Sequence, residues 1–280
     1  MDICDLWGEN IAAFLLLGGP SANNYPREEL AARGVMTLAV NNIAGHLPCS
    51  AFVMNDPVEK AHHGILLDGK ILKFLPKPRM RANRGQFRIK DENGVFSWAP
   101  IPVKKCPSVF FYDRDVAFDP ATYLDSNSAT WGTSGKVIDA GKSSRPKLLC
   151  TMLSALKIMY YLGAREVYLL GGDFRMSENA GYAFPQSRDA DAVSANEALF
   201  RVANQELCAL QPFLLAGGYK VYNCLKESGL SAFPHVPFEK ALKRVRGAMP
   251  REPFDLRDWY NTKGKVGKID QPAATEGNSP

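Results

Sequence analysis

The sequence lacks the cysteine patterns that mark disulfide-rich and zinc-binding proteins. Its six cysteines are scattered, with no Cys-x-x-Cys pair and no Cys/His cluster at metal-ligand spacing. A disulfide framework and a zinc site are therefore disfavoured, and the thiols are expected to stay reduced in the cytoplasm.

Long hydrophobic runs are also missing. The first apolar run, Ile11–Leu17, is only seven residues long, which suits a buried strand and is too short to cross a bilayer. The start Met1-Asp2-Ile3-Cys4-Asp5 is acidic, unlike the basic start of a signal peptide. We therefore expect no transmembrane segment and a cytoplasmic location.

What the chain does contain is enough apolar material for a large core, because 46% of its 280 residues are hydrophobic. Only the last stretch, rich in Lys, Gly, Pro and Thr, lacks apolar periodicity. We predict one domain over residues 1–260, with residues 70–142 as an insertion or lid and residues 261–280 as a flexible tail.

Apolar strand patterns alternate with helical patterns along this domain. The clearest helices are predicted at Leu149–Gly163 and Asp189–Leu215, where apolar residues recur at helical spacing. Further helices are predicted at Pro26–Arg33 and Phe238–Arg246. Strands are predicted at Ile11–Leu17, Met36–Val40, Ala51–Met54, Lys70–Phe74, Ser108–Tyr112, Val167–Asp173 and Tyr219–Asn223. Such alternation predicts an α/β fold, a doubly wound, mainly parallel, Rossmann-like sheet.

Polar or glycine residues follow each of the main strands at its carboxyl end. Parallel sheets bind ligands at this edge, so the repetition predicts a binding site there. Glycines allow close backbone approach, and a helix start can hold a phosphate through its N–H groups. The first turn is neither Gly-x-Gly-x-x-Gly nor a lysine-bearing P-loop. The candidate residues are Gly18, Gly19, Pro20 and Ser21, then Asn41 and Asn42, then Asn55 and Asp56, and finally Gly171, Gly172 and Asp173.

The stretch between the fourth and fifth strands is strongly basic. Eight Lys or Arg side chains lie between Lys70 and Lys90 with no acidic residue, and aromatic residues are interleaved. The segment from Pro76 to Trp98 is predicted to be a hairpin or excursion. It would either bind a polyanion or form a solvated face. The candidate acceptor-binding residues are Lys77, Arg79, Arg81, Arg84 and Arg88.

These motifs resemble the bacterial sialyltransferase-type glycosyltransferases. The family opens with an apolar strand and Gly-x-Gly-Pro-Ser, and Leu17-Gly18-Gly19-Pro20-Ser21 stands at that place. Later the family has the motif Leu-Gly-x-x-Glu-Ile-Tyr-Leu-x-Gly-x-Asp-Phe, which is matched by Leu162–Phe174. The tyrosine of the Tyr-Ala-Phe that follows in the family is matched by that of Tyr182-Ala183-Phe184. The opening turn is also similar to that of the 6-hydroxymethylpterin diphosphokinase family.

The resemblance implies roles for individual residues. Asn41 and Asn55 would contact the nucleotide, Gly19–Ser21 would line its phosphate or ribose, and Tyr182 would lie beside the leaving phosphate. Two positions depart from the family pattern. Arg175 replaces a phosphate-binding tyrosine, which would suit a diphosphate. The family's catalytic histidine after Tyr-Ala-Phe is missing, because no histidine occurs between His63 and His235.

Glycosyl transfer needs a base to accept the proton of the acceptor and cations to stabilise the leaving phosphate. Asp173 is the leading candidate for the base by position, followed by Asp56 and His62 or its neighbour His63. A structural role at the strand end is the alternative for Asp173. Arg175 and Arg188 are candidates for the leaving-group site. No convincing metal motif is present, so no metal site is predicted and a divalent cation is not expected.

Three functions are compatible with these observations. The first is transfer of a sugar from a nucleotide-sugar co-substrate to a hydroxyl on an anionic acceptor, such as DNA with hydroxymethylated bases of the phage type, or an anionic glycan. The second is a diphosphokinase-like transferase that uses ATP and a small hydroxymethyl acceptor. The third is a catalytically idle nucleotide-binding module. Oligomerisation stays open.

Overall fold

The computed structural model describes residues 4–56, 61, 63–76, 85–90, 96–101, 103, 106–112, 119–125, 150–176, 181–184 and 190–248. Residues 63, 85–90, 96–101, 190, 192 and 195 are described by their backbone alone. The predicted tail and the larger part of the loop predicted over 113–142 lie outside the described residues. The predicted domain boundaries therefore stay predictions.

Seven parallel strands form the main sheet, in the order β7-β4-β3-β2-β1-β8-β9. Its strands are β1 (Ile11–Leu16), β2 (Thr37–Val40), β3 (Ala51–Val53), β4 (Leu72–Pro76), β7 (Val109–Tyr112), β8 (Ala164–Leu170) and β9 (Lys220–Asn223). Strand order reverses beside β1, because β2 lies on one side of it and β8 on the other. The predicted doubly wound, Rossmann-like architecture is confirmed.

A separate antiparallel pair interrupts the chain between β4 and β7. Its strands are β5 (Gly85–Lys90) and β6 (Phe96–Ile101), and Gln86 is in register with Pro100. The hairpin that we predicted in the basic stretch is therefore present, including the strand that carries Arg88.

Five helices occur in the described residues: α1 (Arg27–Leu30), α2 (His63–Leu67), α3 (Thr151–Tyr161), α4 (Ala190–Ala216) and α5 (Phe238–Gly247). Two short 3₁₀ turns follow β1 and β2, at Pro20–Asn24 and Asn41–Gly45. The first predicted helix is shorter than expected, because the chain leaves helical geometry after Ala31 and turns at Gly34, whose φ is +82°.

Apolar cores lie on both faces of the sheet, as alternation along β1 requires. Ala13 and Leu15 belong to the core shared with α3 and α4, whereas Phe14 and Leu16 belong to the core on the opposite face, towards α1 and α5. On that second face the rings of Phe14 and Phe238 stack with centroids 5.7 Å apart. Because both faces of β1 are buried, every position of this strand is apolar in the sequence.

One buried hydroxyl ties the sheet edge to α3. Tyr219 is fully buried, and its hydroxyl donates to the carbonyl oxygen of Leu156 over 2.8 Å. We expect Tyr219→Phe to lower the free energy of unfolding by about 1 kcal/mol, because a buried hydrogen bond to the carbonyl oxygen of Leu156 is lost. Urea denaturation measures this change. The control is Tyr222→Phe, whose half-buried hydroxyl makes no hydrogen bond to the described residues, and equal losses in the two variants would contradict the prediction.

Membrane-spanning helices are not found in the described part of the chain, where every helix is too short or too polar for that role. All six cysteines carry free thiols, and burial raises the pKa of Cys49 and of Cys224 to about 12.

Candidate functional site

The site lies at the carboxyl edge of the sheet where strand order reverses, between β1 and β8. Pairing of these strands continues beyond their ends, because the N–H of Leu17 donates to Leu170 over 2.8 Å and that of Gly19 donates to Gly171 over 3.0 Å. The turn after β1 and the loop after β8 are thereby held side by side. Open α/β sheets bind their ligands in the crevice at such a reversal.

Ser21 and Asp173 join the two loops through what we call the Ser21–Asp173 clamp. The hydroxyl of Ser21 donates to Oδ2 of Asp173 over 2.6 Å. The backbone N–H of Ser21 lies 3.2 and 3.3 Å from the two carboxylate oxygens. Both oxygens of Asp173 therefore face Ser21, so this carboxylate orders the turn after β1 in addition to whatever it does for a ligand.

The clamp also changes how the glycine turn would meet a phosphate. The N–H groups of Gly19 and Ser21, which we expected to point at a ligand, donate to Gly171 and Asp173 inside the protein. A carboxylate thus occupies the position at the 3₁₀ start where an anion would otherwise bind. The donor-binding roles of Gly18, Gly19, Pro20 and Ser21 stay predictions, but backbone N–H groups at Gly19 and Ser21 do not supply them in this conformation.

The two loops approach each other closely at Gly19. A Cβ built on Gly19 would lie 2.1 Å from Oδ2 of Asp173 and 2.5 Å from the carbonyl oxygen of Gly171. Its dihedral angles, φ −67° and ψ 155°, are open to any residue, so space alone requires glycine here.

Tyr25 lies behind the clamp and was missed in the sequence. It is buried, and burial, reinforced by nearby Cys224 and the Asp173 carboxylate, raises the pKa of its hydroxyl above the usual range. Its ring packs on Phe238 of α5 with centroids 5.0 Å apart. Tyr25 therefore stays neutral and packs between the Ser21–Asp173 clamp and α5.

The loop after β8 is fixed from the other side by the chain that follows β9. Nδ2 of Asn223 donates to the carbonyl oxygen of Gly172 over 3.1 Å, and Ser228 donates to the same oxygen. The N–H of Gly229 donates to the carbonyl oxygen of Asp173 over 2.8 Å. Phe174, the next residue, has a left-handed backbone with φ +50°, a strained conformation that this surrounding network holds in place.

The segment Tyr182-Ala183-Phe184 lies over the turn after β1. The N–H of Ala183 donates to the carbonyl oxygen of Gly18 over 3.0 Å, and the rings of Tyr182 and Phe184 stack with centroids 5.3 Å apart. A Cβ on Gly18 would lie 3.4 Å from Tyr182. The structure thus brings Tyr182 next to Gly18, which lies 164 residues earlier in the chain.

A chain of hydrogen bonds leads from this segment to His46, which we did not single out from the sequence. Nδ2 of Asn23 donates to the carbonyl oxygen of Ala183 over 2.8 Å, and Oδ1 of Asn23 lies 2.7 Å from Nε2 of His46. The His46 ring is also 6.3 Å from the ring of Phe184. Neither Asn23 nor His46 stands in a recognisable motif, so only the fold reveals this relationship.

Asn41 is placed next to the start of α3. Its Nδ2 is 3.5 Å from the hydroxyl of Thr151, and its Oδ1 is buried with no hydrogen-bond partner among the described residues. Its φ is +54°, a left-handed conformation that asparagine tolerates. At the start of α3 the side chain of Cys150 forms no capping hydrogen bond, while the N–H of Leu153 donates to the carbonyl oxygen of Cys150 over 3.0 Å. Asn42 is half-buried beside Asn41.

The remaining predicted residues spread outward from this centre. Asn55, after β3, accepts a hydrogen bond from the hydroxyl of Tyr112 at the end of β7. Asp56 and Arg175 are exposed. His62 and the basic residues Lys77, Arg79, Arg81 and Arg84 lie outside the described residues, and Arg88 is described only by its backbone.

A cavity also lies elsewhere in the described structure, at the amino edge of β2, β3 and β4. It has a volume of about 780 Å³ and is lined by apolar side chains together with the charged residues Arg33, Asp68, Lys70 and Arg246. None of the predicted site residues lines it, so it is a separate feature. Within the described residues, no group of three or more His, Cys, Asp or Glu side chains is arranged to hold a metal ion.

Comparison with known proteins gave structural likenesses only. No family model matches the chain, and no curated protein matches it in sequence. The structure is similar to the Maf glycosyltransferase from Magnetospirillum magneticum AMB-1, at 13% identity and a TM-score of 0.42. That match covers 91% of this chain but only 40% of the Magnetospirillum protein.

The structure is also similar to the sialyltransferase CstII from Campylobacter jejuni. A complex with cytidine-5'-monophosphate matches at 14% identity over 82% of this chain and 86% of that chain. A complex with a trisaccharide acceptor and CMP matches at 16% identity over 80% and 85%. Both TM-scores are 0.42.

Proposed function

We propose that this protein is a glycosyltransferase that moves a sugar from a nucleotide-sugar donor to a hydroxyl on an anionic acceptor. The observation that carries the proposal is the convergence at one sheet edge of the clamped turn after β1, the stacked pair Tyr182 and Phe184, and Asn41. These groups come from four separate parts of the chain. Binding sites of this fold class are built in this way, from several loops at the strand reversal.

Asn41 and the start of α3 supply the features that a nucleotide requires. A buried amide oxygen without a partner is costly, and a ligand N–H or O–H group would satisfy it. The start of a helix favours negative charge, because its N–H groups and dipole point outward there. The base or ribose would therefore lie at Asn41, with a phosphate towards Thr151.

Tyr182 and Arg175 are the groups that would meet the leaving phosphate. Tyr182 is only half-buried beside Gly18, and Arg175 is exposed two residues after Asp173. A hydroxyl donor and a guanidinium both stabilise negative charge that develops on a departing phosphate. This pairing favours a diphosphate donor.

Thermal stability with nucleotides tests the proposal directly. CMP, CDP, UDP, UDP-glucose, GDP, ADP, ATP and CMP-N-acetylneuraminic acid would each be added, with and without Mg²⁺. A ligand present at one hundred times its Kd stabilises the folded state by about 2.7 kcal/mol. We expect stabilisation by a pyrimidine nucleotide and by the nucleotide-sugar that contains it. Stabilisation by ATP alone would favour the diphosphokinase-like function, and no response to any nucleotide would contradict the proposal.

Asn41→Asp locates the binding site within the same assay. We expect this variant to bind the stabilising nucleotide at least about tenfold more weakly, because like charges about 6 Å apart repel by about 3 kcal/mol at an effective dielectric constant of about 20. Asn10→Asp is the matched control, since Asn10 is exposed and also has a left-handed backbone, with φ +56°. Equal affinities in the two variants would place the nucleotide away from Asn41.

The proposed acceptor is a polyanion bound by the basic stretch that contains the β5–β6 hairpin. Hydroxymethylated DNA is one such acceptor, and an anionic glycan is the other. Anisotropy titrations with a labelled hydroxymethylated duplex at rising salt distinguish them, because binding through phosphates weakens steeply with salt. Absence of binding at low salt would exclude DNA as the acceptor.

A further inference from the structure

His46 is the feature of this edge that the proposed function has not yet used. It lies after the 3₁₀ turn that follows β2, and its side chain is partly exposed. Asn23 connects it to Ala183, in the segment that covers the glycine turn. Transfer to a hydroxyl requires a base, and the segment Tyr182-Ala183-Phe184 contains no histidine.

The hydrogen-bond chain fixes which nitrogen of His46 carries the proton. The carbonyl oxygen of Ala183 can only accept, so the Asn23 atom 2.8 Å away is the amide nitrogen. The other Asn23 atom is then the oxygen, which also only accepts. Nε2 of His46, 2.7 Å from this oxygen, must therefore be the donor. In neutral imidazole this leaves Nδ1 unprotonated, with its lone pair available.

The other base candidates at this edge are less suited. Both oxygens of Asp173 accept hydrogen bonds from Ser21. His235 also lies at the carboxyl edge, where its backbone bridges to Asn223, but its side chain makes no hydrogen bond to the described residues. His46 alone among the described histidine side chains is oriented by a hydrogen-bonded partner, as bases in hydrolase active sites are.

We propose that His46 is the general base of the transfer, a hypothesis that rests on the proposed glycosyltransferase function. The acceptor oxygen forms a bond to the anomeric carbon while the bond from that carbon to the phosphate oxygen breaks. The electron pair of the broken bond leaves with the nucleotide, and the proton of the acceptor hydroxyl passes to Nδ1 of His46. Asn23 is the positioning residue that holds the ring with Nε2–H turned away from the acceptor.

His46→Gln tests the role, because glutamine retains an N–H donor for Asn23 but supplies no base. The assay is release of nucleotide from the sugar nucleotide that stabilises the protein, with water as acceptor. We expect kcat to fall by about 10²- to 10⁴-fold, with KM and the nucleotide-induced thermal shift unchanged and the acidic limb of the pH–rate profile lost. His235→Gln, the same change at the same edge, is expected to retain the kcat and pH profile of the wild type.

A second measurement does not depend on turnover. The ¹⁵N signals of His46, assigned with the His46→Gln variant, report the tautomer, and we expect the proton on Nε2 in the wild type. In Asn23→Ala this preference is expected to be lost, with a fall in kcat but not in nucleotide binding.

The outcomes separate the two hypotheses. If nucleotides bind and the sugar nucleotide is hydrolysed, but His46→Gln keeps the wild-type pH profile, His46 is not the base and the proposed function stands. A proton on Nδ1 in the wild type likewise overturns the role of His46 alone. If no nucleotide binds and no sugar nucleotide is hydrolysed, the proposed function fails and the base assignment fails with it.

Discussion

Gly19→Ala is expected to lower the free energy of unfolding by about 3 kcal/mol. The added methyl would lie 2.1 Å from Oδ2 of Asp173 and 2.5 Å from the carbonyl oxygen of Gly171. The carboxylate can rotate away only by giving up its bonds to Ser21, and the carbonyl belongs to the backbone. Overpacking of a rigid site costs about 1–3 kcal/mol, and loss of buried hydrogen bonds adds to this.

Gly18→Ala is the matched control for this prediction. At Gly18 the new methyl would lie 3.4 Å from the Tyr182 ring and 3.7 Å from Phe184, which are ordinary contacts with side chains. We expect a change below about 1 kcal/mol. Urea denaturation of both variants measures the difference, and a loss at Gly19 no larger than that at Gly18 would show that the two loops do not meet as described.

Lys73 is expected to make a contribution to stability that rises with pH above neutrality. It is fully buried in β4, and its Nζ donates to the carbonyl oxygens of Asp68 and, over 2.8 Å, of Pro107. Burial lowers the pKa of its ammonium from 10.5 to about 8, although Cys106, Asp68 and Cys49 oppose the shift.

The direction of the effect follows from linkage. Between pH 8 and 10.5 the unfolded chain keeps the proton that the folded state has released, so the contribution of Lys73 to the free energy of unfolding rises with pH in this window. Below pH 8 both states are protonated, and the buried charge costs a constant amount, about 3 kcal/mol. From pH 7 to 9.5 this group alone should add about 2 kcal/mol.

Lys73→Met isolates this contribution. Ionisation of unfolded cysteines and tyrosines lowers stability at high pH in both proteins, so only the difference between the two is informative. We expect the wild type to gain about 2 kcal/mol over Lys73→Met between pH 7 and 9.5, measured by urea denaturation at each pH. A pH-independent difference would mean that Lys73 keeps an ordinary pKa in the folded protein.

The sheet could be predicted from the sequence because its signals are local. The apolar residues of Ile11–Leu17 and of Val167–Asp173 each lead into two glycines, and both runs proved to be interior strands with adjacent ends. The rule that parallel strands bind ligands at their carboxyl edge then located the candidate site. The ends of helices were predicted less accurately. The helix predicted over Pro26–Arg33 ends at Leu30, because the chain leaves helical geometry before it reaches Gly34.

The contacts inside the site could not be predicted in the same way. Asp173 was weighed as a base, but its partner Ser21 is 152 residues away, and no periodicity reports such a pair. Asn23, Tyr25 and His46 gave no sequence signal, because each gains its meaning only from neighbours that the fold supplies. The role of Asn223 as a support for Gly172 was hidden for the same reason.

The central position of β1 also affects how the chain is made. One edge of β1 pairs with β2, which follows within about twenty residues, but its other edge waits for β8, where Leu16 meets Leu170. Until the ribosome has released that segment, an apolar strand presents an open row of N–H and C=O groups, the arrangement most prone to pairing with another chain. Completion of the sheet, and with it of the candidate site, therefore waits until β8 has left the ribosome.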